Sequence, residues 1–191
     1  MRPTIPNLLT VARIVMIPLF LVAFYLPFGW SGVVAACLFA LASATDWLDG
    51  YLARRWQQTS SFGAFLDPVA DKLMVAVALI AILQKDPRIL MALPVAIIIG
   101  REITVSALRE WMAELGKRAS VAVSVLGKLK TTVQMVAVVL LLLRHGLPGV
   151  PAYRLGVAGL YVAAALTLWS MIEYLRAAWP VLNEDRPGRA S

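Results

Sequence analysis

An all-α fold, a polytopic bundle of six transmembrane helices with both termini cytoplasmic, is what this sequence predicts, on three observations. Apolar residues fill 60% of 191 positions and mean hydropathy is +0.77, more than a soluble core of this size uses. Those residues gather into six blocks, each about 20 residues long, the length that crosses a hydrocarbon layer at about 1.5 Å per residue. Lys and Arg, finally, are distributed unequally between the loops that join the blocks.

The first span is placed at residues 8–27, after Pro3, Pro6 and Asn7. No small-x-small cleavage site follows it, so it is expected to be retained as part of the domain and not removed as a signal peptide. Turn chemistry from Pro27 to Gly32 separates it from a second span at 32–53. The third, 66–84, stops at Lys85 to Pro87, and the fourth occupies 89–109. Pro18 and Pro94 fall inside spans, where neighbouring helices can satisfy the freed carbonyls, so kinks are expected there and not ends. The fifth span, 125–143, closes at Gly146 to Pro151, and the sixth runs over 154–176. The polar segment from Asn183 to Ser191, with Pro187 and Gly188, is expected to fray. The organisation is thus one membrane domain over 1–182 and a tail over 183–191, without internal repeat or low-complexity stretch.

With the N-terminus cytoplasmic, 14 of the 18 Lys and Arg residues fall on the cytoplasmic side. Only Lys85, Arg88, Arg144 and Arg154 fall on the other. The formal charge of +7 suits anionic head groups and anionic substrates. The basic residues are spread over membrane-edge loops with no separate soluble basic domain, which argues against nucleic-acid binding. Cys37 is the only cysteine, excluding an intrachain disulfide or a cysteine metal cluster. It is read as a small apolar helix residue. His145 is the only histidine, excluding a His-rich metal site, and is read as an exposed loop residue. Trp30, Trp47, Trp56, Trp111, Trp169 and Trp179 fall mostly near the expected interfaces, as an aromatic belt does.

Against this background stands a string of eight residues: Asp46, Asp49, Gly50, Ala53, Arg54, Gly63, Asp67 and Asp71. Four of the chain's 11 carboxylates lie in it. A carboxylate at the bilayer centre costs roughly 2.5–3.5 kcal/mol, so four are on the order of 10 kcal/mol unless they meet water or a counter-charge. On a helical wheel Asp46, Asp49 or Gly50, and Ala53 form one stripe, and Gly63, Asp67 and Asp71 form another. Two neighbouring helices can therefore aim two carboxylates each at a shared point. Asp67, followed by Pro68, is expected either to cap a helix or to lie beside a kink. Converging carboxylates without histidine or thiol select hard cations, Mg²⁺ or Mn²⁺, and four can neutralise two ions. A two-metal site suits in-line phosphoryl substitution. Gly50, Ala53 and Gly63 clear room for a ligand, and Arg54 offers a fork to phosphate oxygens. Taken singly, the small residues read as helix packing, the arginine as a positive-inside marker, and the aspartates as a proton or sodium pathway. Their joint spacing favours the chemical reading.

The string from Asp46 to Asp71 resembles the signature of the CDP-alcohol phosphotransferases at every fixed position. That family consists of membrane enzymes with six spanning helices. Ile5 to Thr10 with Arg13, Asp67 to Lys72, Arg101-Glu102, Ala107 to Arg118 and Gly127 to Thr131 further resemble its bacterial members that act on sn-glycerol 3-phosphate. The resemblance implies transfer of the phosphatidyl group of CDP-diacylglycerol to sn-glycerol 3-phosphate in phospholipid biosynthesis, with CMP leaving. It implies Asp46, Asp49, Asp67 and Asp71 as metal ligands, with Asp71 also the general base. It gives Gly50, Ala53, Arg54 and Gly63 to the CMP and diphosphate, and a homodimer in the bacterial cytoplasmic membrane with its site facing the cytoplasm. Chemistry alone does not single out Asp71 among the four. The acceptor's own phosphate calls for cations, and Arg101, Arg118, Lys128 and Lys130 are the candidates. Glu102 is expected to be an imperfect partner for Arg101, since adjacent helix residues project about 100° apart. Lys128 and Lys130 project about 200° apart, so only one is expected to serve. Asn7, Thr10 and Arg13 either line the nucleotide or cap the first helix. The rival acceptors are serine, inositol and phosphatidylglycerol. A rival of another class is a cation-coupled transporter, which calls for paired half-helices in repeated halves; the sequence has none.

Overall fold

The computed structural model describes residues 5–56, 61–114, 125–144 and 149–184, and every regular element among them is an α-helix. These are α1 (Ile5–Tyr25), α2 (Ser31–Trp56), α3 (Ser61–Lys85), α4 (Ile89–Glu114), α5 (Val125–Leu142) and α6 (Ala152–Glu184). Each coincides with one of the six apolar blocks, α1 and α5 stopping at Tyr25 and Leu142, short of the expected 27 and 143. Three are long and apolar enough to cross a membrane, over Leu8–Tyr25, Ile89–Met112 and Ala152–Arg176. Ser31–Thr45 and Leu129–Leu142 are shorter apolar helices.

The apolar residues point in two directions. On α1, Met16, Ile17, Phe20 and Phe24 are buried, while Leu8, Val11, Val15, Leu19 and Val22 form an exposed stripe. A helix apolar on both faces is what a lipid-facing bundle needs, because the outer face meets acyl chains and not water. α4 and α6 repeat the pattern, with Leu93 and Ile103, and Leu155, Val162 and Ile172, exposed.

α5 packs most extensively on α6, and α1 on α2. The α5–α6 approach depends on small residues. A Cβ on Gly156 would lie 2.7 Å from Cγ of Leu141, and one on Gly159 3.1 Å from Cβ of Ala137. α3 has the most neighbours, touching α1, α2, α4 and α5, with Ala70, Met74, Ala78 and Leu79 in the core. The helix that carries Asp67 and Asp71 is therefore surrounded by others.

The turn before α6 uses Gly149 at φ 78°, a left-handed conformation that glycine adopts without steric cost. Pro151 then accepts from the Leu155 amide at 3.0 Å and starts the helix. Beside it, Asp86 in the α3–α4 turn binds Nε of Arg88 at 2.6 Å and Nη2 at 2.8 Å. Tyr153 of α6 donates to the same carboxylate at 2.7 Å. Hydrogen bonding from Arg88, opposed by burial and aided by Tyr153, holds the Asp86 carboxyl far below the ordinary range.

Three expectations change. α3 begins at Ser61 and runs unbroken through position 68, so Asp67 is not a helix N-cap; Pro68 removes only one backbone bond near the helix start. α1 already covers Ile5, so Thr10 and Arg13 lie beyond its first turn and do not cap it; both are buried. α6 outruns its apolar block by two turns, to Glu184, because no strong breaker intervenes before Pro187.

Candidate active site

The eight-residue string is divided between two successive helices. Asp46, Asp49, Gly50, Ala53 and Arg54 occupy the C-terminal half of α2; Gly63, Asp67 and Asp71 occupy the N-terminal half of α3. The two helices pack together, and unbroken helical register keeps each set of positions on its own stripe. Of the four aspartates, only Asp71 has its side chain within the described residues. The side chains of Asp46, Asp49, Ala53, Arg54, Asp67 and Lys128 lie outside them, as do Arg118 and His145 altogether. Among the described residues no group of three metal-ligating side chains occurs. Hard-cation chemistry therefore rests on the donor set itself: four carboxylates on two contacting helices, which fit Mg²⁺ or Mn²⁺ in type and in charge.

Asp71 is half-buried and opens onto a cleft of about 770 Å³ between α3, α4 and α5. One part of the lining is polar: Asp71 and Lys72 from α3, Glu102, Ser106 and Arg109 from α4, and Lys130, Thr131 and Gln134 from α5. The rest is apolar, with Leu73, Val75, Leu79, Ile98, Ile103 and Met135. The cleft has the character of an amphiphile.

Behind the polar part lies a charge network. Glu102 Oε1 accepts from Lys130 Nζ at 2.5 Å and from Arg101 Nη1 at 3.0 Å. Glu102, expected as an imperfect partner for Arg101, gives it one bond through an oxygen shared with Lys130; both side chains are long enough to fold towards each other across the angle between them. Arg101 Nη2 also donates to Ser170 Oγ of α6 at 2.9 Å, and its guanidinium lies 5.6 Å from the Tyr174 ring. Arg109 sits 4.8 Å over the same ring and bonds its hydroxyl. One carboxylate between two buried cations leaves the trio with a net positive charge. That is affordable in an apolar setting only with good hydrogen bonding or an anion close by. Lys72 donates to Ser106 Oγ, which donates to the Glu102 carbonyl.

The structure brings Asp71, Arg101 and Lys130 to one region, Asp71 and Lys130 lining the cleft and Arg101 reaching it through Glu102. Ser106 and Gln134 are absent from the candidates drawn from the sequence, where Lys72, Glu102 and Arg109 stand only inside resembling segments and Glu102 beside Arg101. Their signal is a polar stripe within apolar blocks: Glu102, Ser106 and Arg109 at i, i+4 and i+7, and Lys130 and Gln134 at i and i+4.

Apolar helices around a carboxylate-bearing cleft with buried cations define a helical membrane protein built to handle a charged amphiphile. A family model described as CDP-alcohol phosphatidyltransferase matches residues 3–169, and the chain belongs to that family. It is 58% identical over 178 residues to a protein of Sodalis glossinidius, covering 93% of this chain and 96% of the relative. A Pseudomonas fluorescens protein is 56% identical, with 95% of this chain and 93% of the relative covered. A Yersinia enterocolitica protein is 54% identical, with 96% and 100% covered. All three are named CDP-diacylglycerol–glycerol-3-phosphate 3-phosphatidyltransferase.

Proposed function

We propose that this chain transfers the phosphatidyl group of CDP-diacylglycerol to sn-glycerol 3-phosphate, giving phosphatidylglycerophosphate and CMP. The observation that carries the reading is Asp71, the last residue of the aspartate string, opening onto a cleft that is part apolar and backed by Arg101 and Lys130. Relatives bearing the name of that reaction match nearly the whole chain.

In this reading Asp71 takes the proton of the acceptor hydroxyl as its oxygen bonds to the diacylglycerol-bearing phosphorus. The bond from that phosphorus to the bridging oxygen breaks, and the electron pair leaves with CMP. Asp46, Asp49, Asp67 and Asp71 would hold two divalent ions, Mg²⁺ or Mn²⁺, which when bound offset the charge of the diphosphate. Gly50, Ala53 and Gly63 leave room for the nucleotide, and Arg54 grips its phosphates. Lys130 and Arg101 hold the acceptor phosphate, with Glu102 fixing both cations before substrate arrives; Arg118 and Lys128 are further candidates. The apolar wall of the cleft suits the diacylglycerol end of the donor.

The same proposal sets the chain as six transmembrane helices, a domain over 1–182 and a tail over 183–191. Both termini and the site face the cytoplasm of a bacterial inner membrane, and the assembly is a homodimer. The lysine and arginine bias and the exposed apolar stripes support the embedding. Incubating purified protein with CDP-diacylglycerol, Mn²⁺ and radiolabelled glycerol 3-phosphate tests the reading. Label in the organic phase is expected; label that stays aqueous while the same protein carries ions across proteoliposomes would favour a transporter.

A further inference from the structure

Gln134 is buried to 4% exposure on α5, and its Oε1 accepts no hydrogen bond from any described residue. Its side chain lines the cleft shared with Asp71, Glu102 and Lys130. Buried acceptors are rarely left without a donor, and such an atom points to a partner that arrives from outside the chain. Lys72 bonds Ser106, Ser106 the Glu102 carbonyl and Lys130 Glu102, and no described donor bonds Gln134 Oε1. The diacylglycerol half of the donor substrate has no O–H or N–H to offer, and the cytidine half, which has both, is assigned above to the Gly50, Ala53 and Gly63 stripes. A polyol has one.

Gln134 stands four residues beyond Lys130 on the same helical face, one turn or about 6 Å along the axis. That is within reach of a three-carbon alcohol whose phosphate is held at Lys130. We propose that Gln134 is the specificity-determining residue for the acceptor, its Oε1 accepting a hydrogen bond from the secondary hydroxyl at C2 and so leaving the C1 hydroxyl as the one presented to Asp71. This rests on the reading that glycerol 3-phosphate is the acceptor. It adds a rule for which phosphomonoesters are taken: those with a hydroxyl donor next to the attacking carbon.

The test compares glycerol 3-phosphate with 3-hydroxypropyl phosphate, which lacks only the C2 hydroxyl, in CMP release by the full-length protein in detergent. The wild type is expected to favour glycerol 3-phosphate in kcat/KM by at least about tenfold, as a site built to bond a hydroxyl does. Gln134→Met should bring the ratio to within about twofold, by lowering kcat/KM for glycerol 3-phosphate and sparing the analogue. Activity on the analogue reports that the variant is folded. Gln134→Glu, which keeps an acceptor oxygen at the same reach, should retain the preference. An unchanged ratio in Gln134→Met, or a wild type indifferent to the C2 hydroxyl, would overturn the assignment and leave Gln134 to water or packing. No CMP from the wild type with glycerol 3-phosphate would instead sink the functional reading itself.

Discussion

Glu102 holds Arg101 and Lys130 at once, so neither cation needs the substrate to be positioned, and both are in place for an anion. Lys130→Ala is expected to raise KM for glycerol 3-phosphate at least about tenfold, an ion pair's share of binding, with KM for CDP-diacylglycerol little changed. Steady-state kinetics on both substrates check it, and equal effects on both would place the acceptor phosphate elsewhere. Asp71→Asn is expected to slow turnover about 10²–10⁴-fold, the contribution of a positioned base, while CDP-diacylglycerol still binds. Asp46→Asn, Asp49→Asn and Asp67→Asn should abolish turnover and weaken metal binding with it; equal metal loss in Asp71→Asn, rescued by excess Mn²⁺, would make Asp71 a ligand only. The aspartates were legible because carboxylates in apolar helices are costly and their spacing is strict. Lys130 was legible as a cation, but its place in the cleft was not, because that depends on which face of α5 meets α3 and α4. Gln134 was legible only as a polar position one turn beyond Lys130, because an uncharged amide costs too little in a helix to mark it as a site.

At the scale of the helix, two contacts are testable. A Cβ on Gly32 would fall 2.5 Å from the Leu142 carbonyl oxygen, where only backbone could yield. Gly32→Ala is therefore expected to destabilise the bundle by about 1–3 kcal/mol, read as a lower melting temperature in detergent, whereas Gly29→Ala, in open space, should not. The Asp86 cluster ties the α3–α4 turn to α6. Its folded-state carboxyl is depressed, so its stabilisation is complete above the ordinary carboxylate pKa of about 3.9 and is lost as pH falls below it. The melting-temperature gap between wild type and Asp86→Asn should hold constant from neutral pH to about 5 and shrink in stronger acid. A gap that grew on acidification would contradict the assignment. All six helices were legible from their apolar blocks, but their ends were not. Hydropathy marks where lipid ends, whereas α6 continues past it and α3 starts before it through Pro68. Packing partners depend on small residues such as Gly156 and Gly159, whose role shows only once a neighbour is in place.

For the whole molecule, burial of charge and exposure of apolar surface are inverted relative to a water-soluble domain. Arg13, Arg101 and Lys130 are inside, while Leu8, Val15 and Leu19 are outside. That inversion makes sense for a chain that carries a polar reaction into an apolar layer. Activity should vanish with a chelator and return with Mg²⁺ or Mn²⁺, a dependence the four carboxylates lead one to expect. The central claim is the identity of the acceptor. It is tested most directly by CMP release from CDP-diacylglycerol with glycerol 3-phosphate, serine, inositol or phosphatidylglycerol supplied one at a time to the purified protein. CMP should form with glycerol 3-phosphate and at background rates with the others; release with serine, inositol or phosphatidylglycerol but not with glycerol 3-phosphate would contradict it.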